Sequence, residues 1–89
     1  MTPELVNVWA EPRYTLRRYE PHATRAAAVE ELGEAVLERT AHRYLGTLLV
    51  TAHPTLGTVV TATTCLMAEA HEYARQSEAE AADRRRRVA

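Results

Sequence analysis

The strongest charge run of the 89-residue chain consists of four adjacent arginines: Arg84, Arg85, Arg86 and Arg87. Guanidinium groups neutralise phosphates and pair with carboxylates, so the run predicts contact with a nucleic acid or an acidic partner. Cations at a helix C-terminus also complement the helix dipole, and that purely structural role is an equal alternative.

A second basic group is interleaved with aromatic rings, a combination typical of interface hot spots and of base stacking. Its residues are Trp9, Arg13, Tyr14, Arg17, Arg18 and Tyr19. The alternative interpretation is an aromatic edge of the core with arginine stems lying across it. We treat both basic groups as candidate sites for binding a nucleic acid or a protein partner.

The acidic residues Glu30, Glu34 and Glu38 recur at four-residue intervals, which places them on one face of a helix. Carboxylate oxygens are the ligands of hard cations, although acidic runs on helices are more often solvated faces. The segment EELGE resembles the helical carboxylate motif of the MazG-like nucleotide pyrophosphohydrolases. That resemblance implies a second carboxylate pair, for which Glu80 and Asp83 are the candidates, and a metal-dependent enzyme is accordingly our third functional hypothesis.

The remaining reactive side chains show no recognised catalytic or metal-binding spacing. Cys65 and His71 are six residues apart, no G-x-S-x-G motif occurs, and the three glycines do not form a phosphate-binding loop. The four histidines lack metal-ligand spacing; they are His22, His42, His53 and His71. We therefore predict no catalytic residue, no metal site and no cofactor.

Composition and length limit the class of protein. A chain of 89 residues makes one domain with a small core, and such domains are often stabilised by pairing with a copy of themselves. All 11 basic residues are arginine, and Lys, Phe and Ile are absent, as expected of a high-GC bacterium or of its phages and plasmids. The formal net charge of -1 excludes a broadly basic nucleic-acid binder.

Several features predict a cytoplasmic protein. Cys65 is the single cysteine, so no intramolecular disulfide can form, and we expect its thiol to be buried. The N-terminal residues lack the pattern of a signal peptide. The uncharged stretch Tyr44–Ala68 is long enough to span a membrane, but His53 and Pro54 interrupt it, so we predict no membrane contact.

Two helices are predicted. The first runs from Pro21 or His22 to Arg43 and the second from Cys65 to Arg87. Each carries apolar residues at three- and four-residue intervals. The first stripe is Ala28, Val29, Leu32, Ala35 and Val36, and the second is Leu66, Met67, Ala70, Tyr73 and Ala74.

The Thr-rich centre decides the fold class. Thr47–Ala52 and Thr58–Thr64 are rich in β-branched residues and flank PTLG, which predicts a β-hairpin. With Leu5–Trp9 and Tyr14–Tyr19 as further strands, the order is ββαββα, an α+β domain with two helices on an antiparallel sheet. The alternative is an all-helical hairpin that dimerises into a four-helix bundle.

We predict a single domain, residues 1–89, with residues 1–4 and 84–89 mobile. The uncharged centre is expected to supply the core; the predicted core residues are Leu48, Val50, Val59, Val60, Leu66, Met67, Tyr73, Val29, Leu32 and Val36. The function expected is a non-enzymatic interaction or regulatory module that binds itself and a second protein. A nucleic-acid-binding regulator is the alternative.

Overall fold

The computed structural model describes residues 3–10 and 21–88. In chain order the elements are β1 (Glu4–Trp9), α1 (Arg25–Leu37), a short 3-10 turn (Ala41–Arg43), β2 (Tyr44–His53), β3 (Gly57–Thr64) and α2 (Met67–Val88). The predicted α+β class is confirmed, and the all-helical alternative is wrong. The predicted strand Tyr14–Tyr19 lies outside the described residues.

The three strands form one antiparallel sheet in the order β1-β2-β3. Asn7 is paired with Thr47, and Thr47 with Thr64, so these three side chains share one face of the sheet. The turn between β2 and β3 is closed by the His53 ring, whose Nδ1 accepts hydrogen bonds from the backbone N–H groups of Thr55 (3.2 Å) and Leu56 (3.1 Å). Gly57 leaves the turn with a positive φ of 77°, which glycine adopts without strain.

Local hydrogen bonds fix the ends of α1. The Thr24 hydroxyl caps the first turn by accepting from the Ala27 N–H at 3.2 Å. At the other end Arg39 takes a left-handed φ of 63°, and the N–H groups of Arg39 and Thr40 reach back to the carbonyls of Val36 and Ala35. This Schellman arrangement ends the helix at Leu37, six residues before the predicted end at Arg43.

The two helices pack against each other at close range. A Cβ at Gly33 would lie 2.8 Å from Cγ of Tyr73, so the absence of a side chain lets the ring lie on α1. Nε and Nη2 of Arg25 donate to the carboxylate of Glu69, and this exposed ion pair joins the N-terminal turns of both helices.

The core lies between the helices and one face of the sheet. Leu32 and Leu66 are fully buried in it, and both predicted helical stripes are confirmed as the packed faces. The buried cluster is Leu5, Trp9, Ala28, Leu32, Ala35, Leu66 and Ala70. Small alanines along both helices allow this close approach.

The prediction that the uncharged centre supplies the core is largely wrong. Of its 25 residues only Thr47, Val50 and Leu66 are buried. Val60 is 54% exposed, and Leu48 and Val59 are half-buried. Leu48, Val50 and Val60 lie on one face of the sheet, and the helices pack on the opposite face.

The expected burial of Cys65 is also wrong, because this residue is exposed. It lies in the short link between β3 and α2, where the neighbouring Leu66 turns inward and fills the core.

The chain is extended for its length. Its radius of gyration is 15.8 Å, whereas a compact domain of this size would have about 12 Å. In addition, every residue of β3 is exposed or half-buried. Much apolar surface is therefore left without cover by the described part of the chain.

Candidate interaction surface

One face of the sheet is apolar, and neither described helix covers it. Its side chains alternate with the inward-facing ones along each strand, as the register requires. We call this surface the open face; its principal residues are Val6, Val8, Leu48, Val50 and Val60. Val50 is 9% exposed because it lies on the central strand between Glu4 and Val60, not because a helix packs on it.

The open face is concave. It bounds a groove of about 640 Å³, with Pro21 and Ala52 among the lining residues and Thr58 on the β3 side. Glu4 is the one charged residue among the described residues that line the groove. An aliphatic groove with so little charge is suited to bind an apolar surface.

The outer edges of the sheet differ. The edge of β1 carries a short backbone pairing, in which Leu5 and His22 exchange hydrogen bonds of 2.9 and 2.7 Å. On β3 the register shifts between Val60 and Ala62, so Thr61 forms a bulge, and its hydroxyl donates to the carbonyl of Leu49 at 3.2 Å. Bulges of this kind twist an edge strand and hinder its pairing with another strand.

A second candidate site is a buried polar cluster beneath the other face of the sheet. The N–H of Leu66 donates to the Tyr44 hydroxyl at 3.0 Å, and that hydroxyl lies 2.7 Å from Thr47 Oγ1. Thr47 in turn donates to Asn7 Oδ1 at 2.6 Å. Since the single hydroxyl proton of Thr47 is used in this bond, Thr47 must accept from Tyr44.

The cluster continues into α1. Nδ2 of Asn7 donates both to the carbonyl of Ala28 (3.0 Å) and to the carboxylate of Glu31 (2.7 Å). His22 Nε2 lies 3.2 Å from the same carboxylate oxygen but has no hydrogen-bond partner within the described residues. The donors of Asn7, Thr47 and Tyr44 are thus used within the protein, which makes the cluster a structural clamp between the sheet, α1 and Leu66, the residue before α2.

Sequence reasoning missed this clamp. The available signal was Asn7, a polar residue at an inward position of β1 between Leu5 and Trp9. A buried polar side chain at such a position needs partners, and the partners lie 21 to 40 residues away along the chain.

The helical carboxylates do not converge. Glu31 points to Asn7, and Glu34 accepts a 2.7 Å hydrogen bond from the Tyr73 hydroxyl, which raises the pKa of that hydroxyl above its ordinary value of about 10. Glu30 and Glu38 are exposed. Over residues 3–10 and 21–88, no group of three or more His, Cys, Asp or Glu side chains is arranged to hold a metal ion.

The C-terminal basic candidates are all placed on α2, which continues to Val88, one residue beyond the predicted end at Arg87. The side chains of all four candidates are exposed, namely those of Arg84, Arg85, Arg86 and Arg87. Nη2 of Arg87 and Nη2 of Arg86 approach the carboxylate of Asp83 at 2.9 and 3.8 Å. Arg84 and Arg85 instead line a shallow depression together with Ala81 and Val88. The run is therefore divided, with Arg86 and Arg87 near a carboxylate and Arg84 and Arg85 beside small or apolar side chains.

Of the N-terminal basic and aromatic candidates, the structure describes Trp9. Trp9 is buried and packs edge-on against Tyr44, with ring centroids 5.7 Å apart. This position agrees with the alternative interpretation, in which Trp9 belongs to an aromatic edge of the core. The other candidates of this group lie outside the described residues; they are Arg13, Tyr14, Arg17, Arg18 and Tyr19.

Comparison of the chain with protein families, with curated protein sequences and with solved structures gave no match. No helix in the described parts of the chain is both long enough and apolar enough to cross a membrane.

Proposed function

We propose that the protein is a small non-enzymatic interaction or regulatory module that works as a homodimer. The observation that carries this proposal is the open face, an apolar groove that neither described helix covers. The extended shape supports it, because a chain of 89 residues with a radius of gyration of 15.8 Å leaves more apolar surface in water than a compact domain would.

The setting we propose is the cytoplasm of a high-GC bacterium, with the gene carried by the host, a phage or a plasmid. All 11 basic residues are arginine, and this composition supports a high-GC source. The exposed thiol of Cys65 also suits a reducing compartment. In this setting the dimer would act as an accessory protein that binds a second protein.

Sedimentation velocity across a concentration series tests the homodimer. The expected result is a species of twice the 10.0 kDa chain mass at micromolar concentration, with a melting temperature that rises as protein is added. A monomer whose melting temperature does not change with concentration would contradict the proposal.

Binding of nucleic acid through Arg84–Arg87 is the second candidate. The supporting observation is that these four side chains are exposed together on the last turns of α2. Affinity for a DNA duplex should then fall steeply with salt. Removing the four arginines should reduce the slope of log K against log salt by about 0.9 for each phosphate that is no longer neutralised. Equal affinity with and without the arginines would exclude this surface.

A further inference from the structure

We propose that the open face is the homodimer interface, with the sheets of two copies packed face to face across a two-fold axis. This inference rests on the proposed homodimer and adds the surface through which the copies meet. Two stacked sheets lie about 10 Å apart, a spacing at which aliphatic side chains from both faces interdigitate.

The charge pattern favours a second copy as the occupant. The described lining of the groove includes Val6, Val8, Leu48 and Val60, and its only charged residue is Glu4 at the start of β1. The exposed positions of α1 and α2 are rich in Glu and Arg, so these surfaces cannot fill an apolar groove without burying charge. The open face of another copy is apolar and is present wherever the protein is, and two-fold packing brings identical patches together.

The size of the open face sets the strength of such a dimer. Three strands about 4.8 Å apart, each with about eight residues rising about 3.3 Å, cover about 400 Å² in projection. Side-chain corrugation increases the accessible area, so two such faces come near the low end of specific interfaces, about 1,200 Å² in total. We therefore expect a dissociation constant of about 1 μM, so that the dimer predominates at micromolar concentrations above this value.

Pairing of β3 edges is the competing geometry for a dimer of this fold. The bulge at Thr61 interrupts the regular alternation of N–H and C=O groups along that edge, which disfavours continuous pairing between copies. Edge pairing would also leave the apolar groove of each copy in water. Face-to-face packing covers the groove and does not require a regular edge.

Charge substitutions on the two faces of β3 test the interface. Val60→Lys and Thr58→Lys place an ammonium group on the open face at exposed positions, whereas Ala62→Lys, the matched control, places it on the opposite face of the same strand. Circular dichroism checks that each variant folds. Sedimentation equilibrium then measures dissociation constants, which should rise about tenfold or more for the two open-face variants and stay within about threefold of wild type for Ala62→Lys.

The possible results distinguish a failure of the proposed interface from a failure of the proposed homodimer. Dimers that persist unchanged in both open-face variants would overturn this interface and leave the homodimer standing. Equal weakening by Ala62→Lys would place the contact at the β3 edge instead and would likewise overturn the proposal. Wild-type protein that is monomeric at roughly 100 μM would overturn the homodimer itself and with it this interface.

Discussion

At the scale of the residue, Gly33 shows how one missing side chain sets the distance between helices. Glycine is the poorest helix former after proline and costs about 1 kcal/mol relative to alanine. In α1 this cost is offset by packing, because the ring of Tyr73 occupies the space that a Cβ would fill. The contact involves Cγ of the ring, so relief of the clash requires a change of the Tyr73 χ1 angle or a shift of α2.

Gly33→Ala should therefore destabilise the protein by about 1 to 3 kcal/mol, although alanine is the better helix former. Urea unfolding followed by circular dichroism measures the change. The control is the same substitution in a Tyr73→Ala background, where the clash is gone and alanine should stabilise by up to about 1 kcal/mol. An identical effect in both backgrounds would contradict the role given to the ring.

Thr47 is the central member of the buried polar clamp. It is fully buried, donates to Asn7 and accepts from Tyr44. Thr47→Val keeps the shape but removes the donor to Asn7 Oδ1 and the acceptor of the Tyr44 hydroxyl proton, which should cost about 1 to 3 kcal/mol in urea unfolding.

Thr51→Val is the matched control for Thr47→Val. Thr51 lies on the same strand but is only half-buried. Its replacement should change the free energy of unfolding by less than about 0.5 kcal/mol. Similar losses at both positions would indicate that the hydroxyl of Thr47 contributes nothing beyond β-propensity.

At the scale of the element, α2 has two different halves. Its first turns pack on the core through Ala70 and Ala74. The segment Ser77–Asp83 contains no apolar residue larger than Ala, and of the arginines that follow it Arg86 and Arg87 form ion pairs with Asp83. Exposed ion pairs of this kind contribute little to stability.

Deleting Arg84–Ala89 should leave the melting temperature nearly unchanged, since little burial connects these residues to the core. Differential scanning calorimetry of the truncated and full chains is the measurement. A drop of several degrees would show that the end of α2 packs against the body of the protein or against a second subunit.

At the scale of the whole molecule, stability depends on a small cluster in which Leu32 and Leu66 are the largest fully buried apolar side chains. Leu32→Ala or Leu66→Ala should each cost about 2 to 5 kcal/mol. Domains have a total stability of about 5 to 15 kcal/mol, so either loss is severe. Thermal unfolding of each variant measures its loss of stability.

Leu56→Ala serves as the control for these truncations. Leu56 is 72% exposed in the turn between β2 and β3, so its loss should change stability by less than about 0.5 kcal/mol. If the two core variants melt within a few degrees of the parent, the assignment of the buried faces is wrong.

The amino-acid sequence by itself determined the elements that depend on local interactions. The β-branched runs on either side of Pro54–Gly57 predicted the hairpin, and the apolar periodicity identified Leu32 and Leu66 as inward-facing. These signals are readable because strand and helix patterns repeat over two to four residues. The end of α1 could not be predicted from the sequence, because the left-handed residue that follows the helix is Arg39 and not the glycine that usually marks such an end.

Only the tertiary structure decided which face of the sheet the helices cover and where the polar side chains meet. Alternation along β2 assigns Leu48 and Thr47 to opposite faces, but the elements that cover one of those faces are distant in sequence. Asn7 finds Thr47 40 residues away and Glu31 24 residues away. Three strand residues expected in the core, Leu48, Val50 and Val60, lie instead on the open face. Local periodicity shows which side chains share a face of a strand, but it does not show which element packs against that face.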